Sequence, residues 1–357
     1  MKVSLALALV PLLAAAAPSP SDKHHSKPKP KPKIEGLGAL AVKAGLQYFG
    51  TAIDNVVLDN KNYTSIAFNV SEFNQVTPSN GMKWMYFEPQ RNVFNATLAD
   101  QIVKPARKAG QLRRCHTFIW HNQLPGWLTS RNWTAPELTA VLENHIKAEA
   151  RYFKDDCIAW DVVNEAFNDD GTWRDTIWLR TLGKSYIELA FTFARKYVGK
   201  KTMLYYNDYN VERVNNKSLA VVELVKDFKK RDIPIDGVGL QAHFTVGRSP
   251  SYNETSASIA QFNKLGMEVA ITELDVRLAL PDTAEKSEAQ AKVYADTVKA
   301  CVDAKDCVGV TVWDFWDPVS WVPETFPGNG NACLWTEGFV KKPAYYAIQK
   351  VFQDAAA

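Results

Sequence analysis

The stretch Cys157-Ile158-Ala159-Trp160-Asp161-Val162-Val163-Asn164-Glu165 is mostly apolar and ends abruptly on Asn-Glu. A buried strand rarely finishes on an unpaired carboxylate. The same pattern recurs along the chain. From residue 34 onward, eight short apolar runs alternate with helix-like stretches: YFGTAID (48–54), FNQVTPSN (73–80), LRRCHTFIWH (112–121), CIAWDVVNE (157–165), TMLYYNDY (202–209), VGLQAH (238–243), EVAITELDV (268–276) and CVGVTVWDF (307–315). The runs are apolar nearly throughout, as strands buried on both faces should be. Among the helix-like stretches is 135–154, where Thr134 can cap, Pro136 sits in the first turn and Glu137 completes a capping box. Another is Ser287 to Ala300. Most runs end in polar residues: Asn80, His121, Glu165, Asp208, His243, Glu273 and Asp314. A doubly wound sheet would gather such ends on two or three strands at one switch point. Their spread over seven runs predicts an α/β fold closed as a (β/α)8 TIM barrel, with the site at the carboxyl ends of the strands.

Composition sets the broad class. The chain has 357 residues, 46% of them hydrophobic and 23% charged, as in ordinary globular proteins. Eleven Trp are more than a core needs, and flat aromatic faces suit sugar rings or apolar ligands. Six of the 42 basic residues and one of the 39 acidic residues precede residue 34, leaving 36 basic against 38 acidic beyond it. The folded part is near neutral, without the basic stripe that nucleic acid requires. Residues 1–17 read as a secretory signal peptide, with a Lys, an apolar run and a small-residue cleavage site. Residues 18–33, PSPSDKHHSKPKPKPK, read as an extended Lys/Pro-rich linker or tail. Residues 34–357 form the expected single domain. No later run is long and apolar enough for a membrane span. Six N-x-S/T sequons, at Asn62, Asn69, Asn95, Asn132, Asn216 and Asn253, agree with a secreted, extracellular glycoprotein. Cys301 and Cys307 close a short loop and are expected to pair in an oxidising compartment. Cys115 and Cys157 sit inside apolar runs and fit buried free thiols, while Cys333 lies in a loop. The odd count leaves at least one cysteine unpaired without saying which.

The chemistry rests on two carboxylates. Glu273 ends the seventh run as Glu165 ends the fourth, so both can reach one central cleft across a barrel mouth. Two carboxyls facing each other are the working parts of glycoside hydrolysis: one protonated to assist the leaving oxygen, the other ionised to attack or to activate water. Either Glu alone could equally be a rim salt bridge. Their company decides otherwise. Asn164 precedes Glu165 and is placed to bond a sugar hydroxyl. His243 ends the sixth run beside Glu273, and Asp275 lies on the same strand face, placed to hold that His from its other side.

These motifs, with FGTAIDN, QVTPSNGMKW, HTFIWHNQLPGWL, WDVVNEAF, YNDYN, GVGLQAHF, ITELDV and VTVWDFWDPVSW in order, resemble glycoside hydrolase family 10, the secreted endo-β-1,4-xylanases. The resemblance runs from about residue 39 to 350, and WDVVNEAF together with ITELDV is its most specific part. It implies a (β/α)8 barrel that cleaves internal β-1,4-xylosidic bonds with retention. Glu165 would be the acid/base and Glu273 the nucleophile, about 5 to 5.5 Å apart. Asn164 would bond the sugar's 2-hydroxyl, and His243 with Asp275 would keep Glu273 ionised and oriented. Lys83, His121 and Gln241 match residues bonding the sugar next to the cleavage point. Asn80 and Gln123 match the next sugar out, and Trp313 and Trp321 the aromatic walls of the glycone side. Trp120 and Tyr209 are further cleft residues. No metal or other cofactor is implied, and the expected partner is xylan or a xylo-oligosaccharide bound by a monomer.

The chain departs from the family pattern at the rim. Ser79 stands where many members have Glu, and Trp84-Met85 replaces Trp-Asp. After the eighth run, Trp313-Asp314 replaces Trp-Gly, Ser320-Trp321-Val322 replaces Ser-Trp-Arg, and the loop that follows is longer. These differences keep open a same-family glycosidase acting on a saponin such as tomatine. A carbohydrate-binding or host-interaction protein without catalysis would have no need for the Glu pair.

Overall fold

The computed structural model describes residues 35–357; the expected signal peptide and Lys/Pro segment lie outside the described residues. Eight parallel strands form the barrel: β1 Tyr48–Ile53, β2 Gln75–Pro78, β3 Leu112–Ile119, β4 Ala159–Asn164, β5 Met203–Asp208, β6 Gly237–Leu240, β7 Glu268–Ala279 and β8 Cys307–Val312. Each pairs with its neighbours in sequence order, and Tyr48 opposite Gly309 joins β1 to β8 and closes the ring. An α-helix follows every strand, the longest being Ala135–Phe153 and Ala284–Val302. The first has the expected capping box between Thr134 and Glu137. The second starts three residues before the expected Ser287, because Thr283 caps it through the Lys286 N–H.

The strands read as apolar runs because their outward faces are buried by these helices and their inward faces fill the barrel. The interior is a packed core in which glycines make room for larger partners. A Cβ on Gly309 would meet the Tyr48 ring at 2.5 Å, and one on Gly237 would meet the Tyr205 ring at 2.6 Å. Between these rings lies the buried guanidinium of Arg114, its Cζ 4.2 Å from the Tyr205 centroid. Arg114 pairs with Asp161, each 1% exposed, and Asp161 Oδ2 also meets His116 Nδ1 at 3.0 Å.

Two sequence expectations change. Cys115 and Cys157 are not free thiols: they form a disulfide with Cα atoms 5.7 Å apart. Cys115 lies in β3 opposite Trp160 of β4, and Cys157 enters β4 two residues before it begins, so adjacent strands bring the sulfurs together. Cys301–Cys307 is paired as expected, and Cys333 is a buried free thiol. The run 238–243 is not one strand. β6 stops at Leu240, Ala242 turns the chain with φ of 64°, and His243–Thr245 forms a separate short strand against Asp275–Arg277. Six of the eleven Trp are buried, namely Trp84, Trp133, Trp160, Trp178, Trp313 and Trp335, so packing accounts for about half of them, and Trp313 among these also borders the site.

Candidate active site

The carboxyl end of the barrel is also where the backbone is strained. Gln123, Glu165, Asn210, Ala242 and Asp314, all just beyond strand ends, have φ between 47° and 64°. That left-handed region costs a non-glycine residue about 1–3 kcal/mol and persists only where the surroundings hold it. At Glu165 the clamps are visible: Arg174 Nε donates to its carbonyl at 2.9 Å, and the next N–H, of Ala166, donates to Tyr206 Oη at 3.0 Å.

The conformation turns the Glu165 carboxylate into a nest of donors. Oε1 accepts from Gln241 Nε2 at 3.0 Å and from Asn164 Nδ2 at 3.3 Å; Oε2 accepts from Trp120 Nε1 at 2.8 Å. His121 Nδ1 lies 3.8 Å from Oε2, and burial pushes the His121 pKa down. Across the mouth, Glu273 Oε1 accepts from Asn207 Nδ2 at 2.7 Å, and Oε2 meets His243 Nε2 at 3.2 Å. Asn164 Oδ1 accepts from both Asn207 Nδ2 at 2.9 Å and Gln241 Nε2 at 3.2 Å. An unbroken chain of amides, Gln241 to Asn164 to Asn207, therefore ties the two carboxylates together.

His243 is bracketed. Its Nδ1 meets Asp275 Oδ2 at 2.9 Å, which also accepts from Trp321 Nε1 at 2.7 Å. Burial disfavours the imidazolium, but the charges and hydrogen bonds of Asp275 and Glu273 outweigh it and raise the His243 pKa to about 10. The opposite holds for Glu273. Burial pushes its carboxyl up, but the His243 hydrogen bond and the positive fields of His116 and His243 bring it below the usual value. Glu273 is thus held as a carboxylate beside a protonated histidine. Removing that histidine, as in His243→Asn, raises the Glu273 pKa, so the acid limb of the kcat/KM profile moves to higher pH; an unmoved limb would remove the histidine from this role.

A second cluster lies at the β2 end. Lys83 Nζ donates to Gln123 Oε1 at 2.7 Å and to Asn80 Oδ1 at 3.0 Å, and sits 4.8 Å from the Trp120 ring centroid. Burial lowers its pKa to about 8 despite the nearby carboxylates. Trp313 and Trp321 pack edge-on to His243, with centroids at 6.3 and 4.9 Å. Tyr209 accepts from Arg174 Nη2 at 2.7 Å on the other side of Glu165. The structure thus gathers all fourteen candidate residues at one end of the barrel.

Three supporting residues escaped sequence reading. Asn207 bridges the carboxylates, and Thr272 Oγ1 fixes its amide at 2.7 Å. Its signal was a polar residue inside the apolar run of β5, masked by Asp208 beside it. Asp54 Oδ2 accepts from Asn80 Nδ2 at 2.6 Å and orients it. Arg174 follows β4 in a loop with no periodic signal. Gly239, opposite Asn207 in the sheet, has no room for a Cβ, which would overlap Asn207 Oδ1. Gly239→Ala is expected to destabilise by about 1–3 kcal/mol and to lower kcat by about 10-fold or more as Asn207 shifts. Unchanged kcat would show that Asn207 does not position the carboxylates.

Three comparisons with known proteins bear on this constellation. The family model for Glycosyl hydrolase family 10 matches residues 36–351, nearly all of the described chain. The chain belongs to glycosyl hydrolase family 10. Within the family it is similar to endo-1,4-beta-xylanase A of Humicola insolens, 47% identical over 321 residues that cover 88% of this chain and 85% of that protein. Endo-1,4-beta-xylanase D of Talaromyces funiculosus is 45% identical, over 90% of this chain and 78% of that one. Among solved structures, the family 10 xylanase of Bispora sp. MEY-1 with xylobiose superposes with a TM-score of 0.86 at 42% identity, covering 88% of this chain and 99% of that one. The family's usual Gly after the Trp of strand eight also finds its explanation. Asp314 occupies that left-handed position, and its buried carboxyl accepts from Tyr63 Oη at 2.8 Å, with burial raising its pKa well above the usual range.

Proposed function

We propose that the protein is a secreted endo-1,4-β-xylanase that hydrolyses internal bonds of plant xylan by retaining double displacement. The observation that carries the reading is the unlike treatment of two linked carboxylates. Glu273 is locked as an anion by His243 and Asp275, while Glu165 faces it across the amide chain, held by donors from Gln241 and Trp120. In the first step Glu273 attacks the anomeric carbon, the glycosidic C–O bond breaks, and Glu165 gives its proton to the departing oxygen. In the second, Glu165 takes a proton from water, whose oxygen attacks the same carbon and releases Glu273. Two inversions give net retention. Asn164 is the donor to the 2-hydroxyl, and Lys83, Asn80 and Gln123 hold sugars on the glycone side against Trp313 and Trp321.

The charge pair also defines a pH window. The folded-state pKa of Glu273 is depressed, so its contribution is present above the ordinary carboxyl value of 4.5 and fades as pH falls through the lower one. That of His243 is raised, so its contribution is complete below 6.5 and is lost as pH rises through about 10. The pair is intact between these limits.

Incubation with arabinoxylan or glucuronoxylan tests the reading. Short xylo-oligosaccharides are expected from the wild type and not from Glu165→Ala. No release by a folded protein would move the reading to a saponin such as tomatine. Two carboxylates suffice for the chemistry, so EDTA is expected to leave the rate unchanged, and clear inhibition would count against it. Support for secretion comes from the six sequon asparagines, all of which are exposed.

A further inference from the structure

Beyond the Glu273–Asp275 wall, the same strand carries a cation that nothing in the reaction uses. Arg277 follows Asp275 by two residues and so extends from the same face of β7. It lies about 13 Å along the strand from Glu273 at roughly 3.3 Å per residue. Its Cζ sits 3.7 Å from the centroid of Phe326, which packs on Trp321 at 5.4 Å. Arg277 is therefore fixed on the outer side of the aromatic wall, at the lengthened loop after β8. Guanidinium groups that are half-buried are normally paired. Among the described residues Arg277 has no ion-pair partner. The nearest acid on its strand, Asp275, is already engaged by His243 and Trp321 through Oδ2. The turn that pairs with this segment adds a second positive charge: Thr245 lies opposite Arg277, Val246 N donates to the Arg277 carbonyl at 3.0 Å, and exposed Arg248 follows. Burial lowers the Arg277 pKa, as expected of a desolvated cation whose surroundings leave it short of acceptors.

We propose that Arg277 is a specificity residue that receives the carboxylate of an acidic, uronic-acid branch on the xylan chain, at the glycone rim. This rests on the xylanase reading above. The stacked guanidinium is held with its plane on Phe326 and its N–H edges free for a two-point hydrogen bond to a carboxylate. Arg248 contributes attraction at longer range, which salt screens. A neutral linear xylan would pass the same rim without using either group.

The test compares kcat/KM on glucuronoxylan and on unbranched neutral xylan for the wild type, Arg277→Met and Arg277→Lys, at low and high salt. Arg277→Met keeps an apolar stem against Phe326 and removes the charge. The expected result is a loss of about ten-fold on glucuronoxylan alone, the lower end for a charge-assisted hydrogen bond. Partial recovery in Arg277→Lys and a wild-type preference that shrinks in high salt are also expected. Equal losses on both substrates, or a lowered Tm with unchanged preference, would make Arg277 a packing residue for the loop and overturn the proposal. Unchanged rates on both would overturn it as well. No turnover of unbranched xylan by the wild type would instead defeat the xylanase reading, and the proposal with it.

Discussion

Glu273→Gln is expected to lower kcat on xylan by about 10⁴-fold or more, beyond the 10²–10⁴ contributed by a typical acid or base. The amide is nearly isosteric, accepts the Asn207 bond and leaves the fold intact, but it has no anionic oxygen to form the glycosyl-enzyme. Glu165→Gln should behave differently. Departure of a sugar alcohol needs the proton, so polysaccharide turnover falls by about 10²–10⁴. Departure of an activated phenol does not, so bond cleavage in an aryl xyloside is spared and the glycosyl-enzyme accumulates as a burst. Burst kinetics with Glu165→Gln and none with Glu273→Gln would establish the roles. The reverse pattern would exchange them, and residual xylanase activity in Glu273→Gln would refute the nucleophile.

The second large effect concerns stability. Asp161→Leu removes the carboxylate paired with the buried guanidinium of Arg114, leaving it against the rings of Tyr205 and Tyr48 with only the more distant charge of Glu268 to offset it. Removing one partner of a buried pair costs about 3–5 kcal/mol, because the remaining charge stays desolvated. A fall in Tm of roughly 5–10 °C follows. The double variant Arg114→Met, Asp161→Leu should recover much of the loss, since apolar side chains of similar size can replace a buried pair. A thermal scan of the three proteins decides it. A single variant as stable as the wild type would mean that Arg114 finds water or another acceptor.

Much of this architecture was legible in the sequence because two signals reinforced each other. Strands buried on both faces must be apolar throughout, and those feeding a site must end in polar residues; WDVVNE and ITEL show both at once. The limits were equally physical. Cys115 and Cys157 looked like core thiols because their neighbours are apolar, and spacing along the chain does not reveal that β3 and β4 lie side by side. His243 looked like a strand end, although the left-handed backbone at Ala242 interrupts the strand and places His243 in a new short one that continues in the same direction. Asn207 was legible only as polar, since its role depends on reaching Asn164 and Glu273 from other strands. Arg174 comes from a loop whose position the barrel determines, not its own residues.

The pairing of Tyr48 with Gly309 closes the ring, and the helices Leu37–Lys43 and Pro343–Ala355 meet beside that seam. A ring has no privileged starting point. Joining the ends of residues 35–357 and reopening the chain at the exposed turn around Lys200 and Lys201 would preserve every strand pairing while changing which strand is synthesised first. The order of the eight units in the gene is therefore separable from the machine they assemble, and circular permutants offer a way to move a fused module from one sector to another of the barrel's amino-terminal end, opposite the cleft.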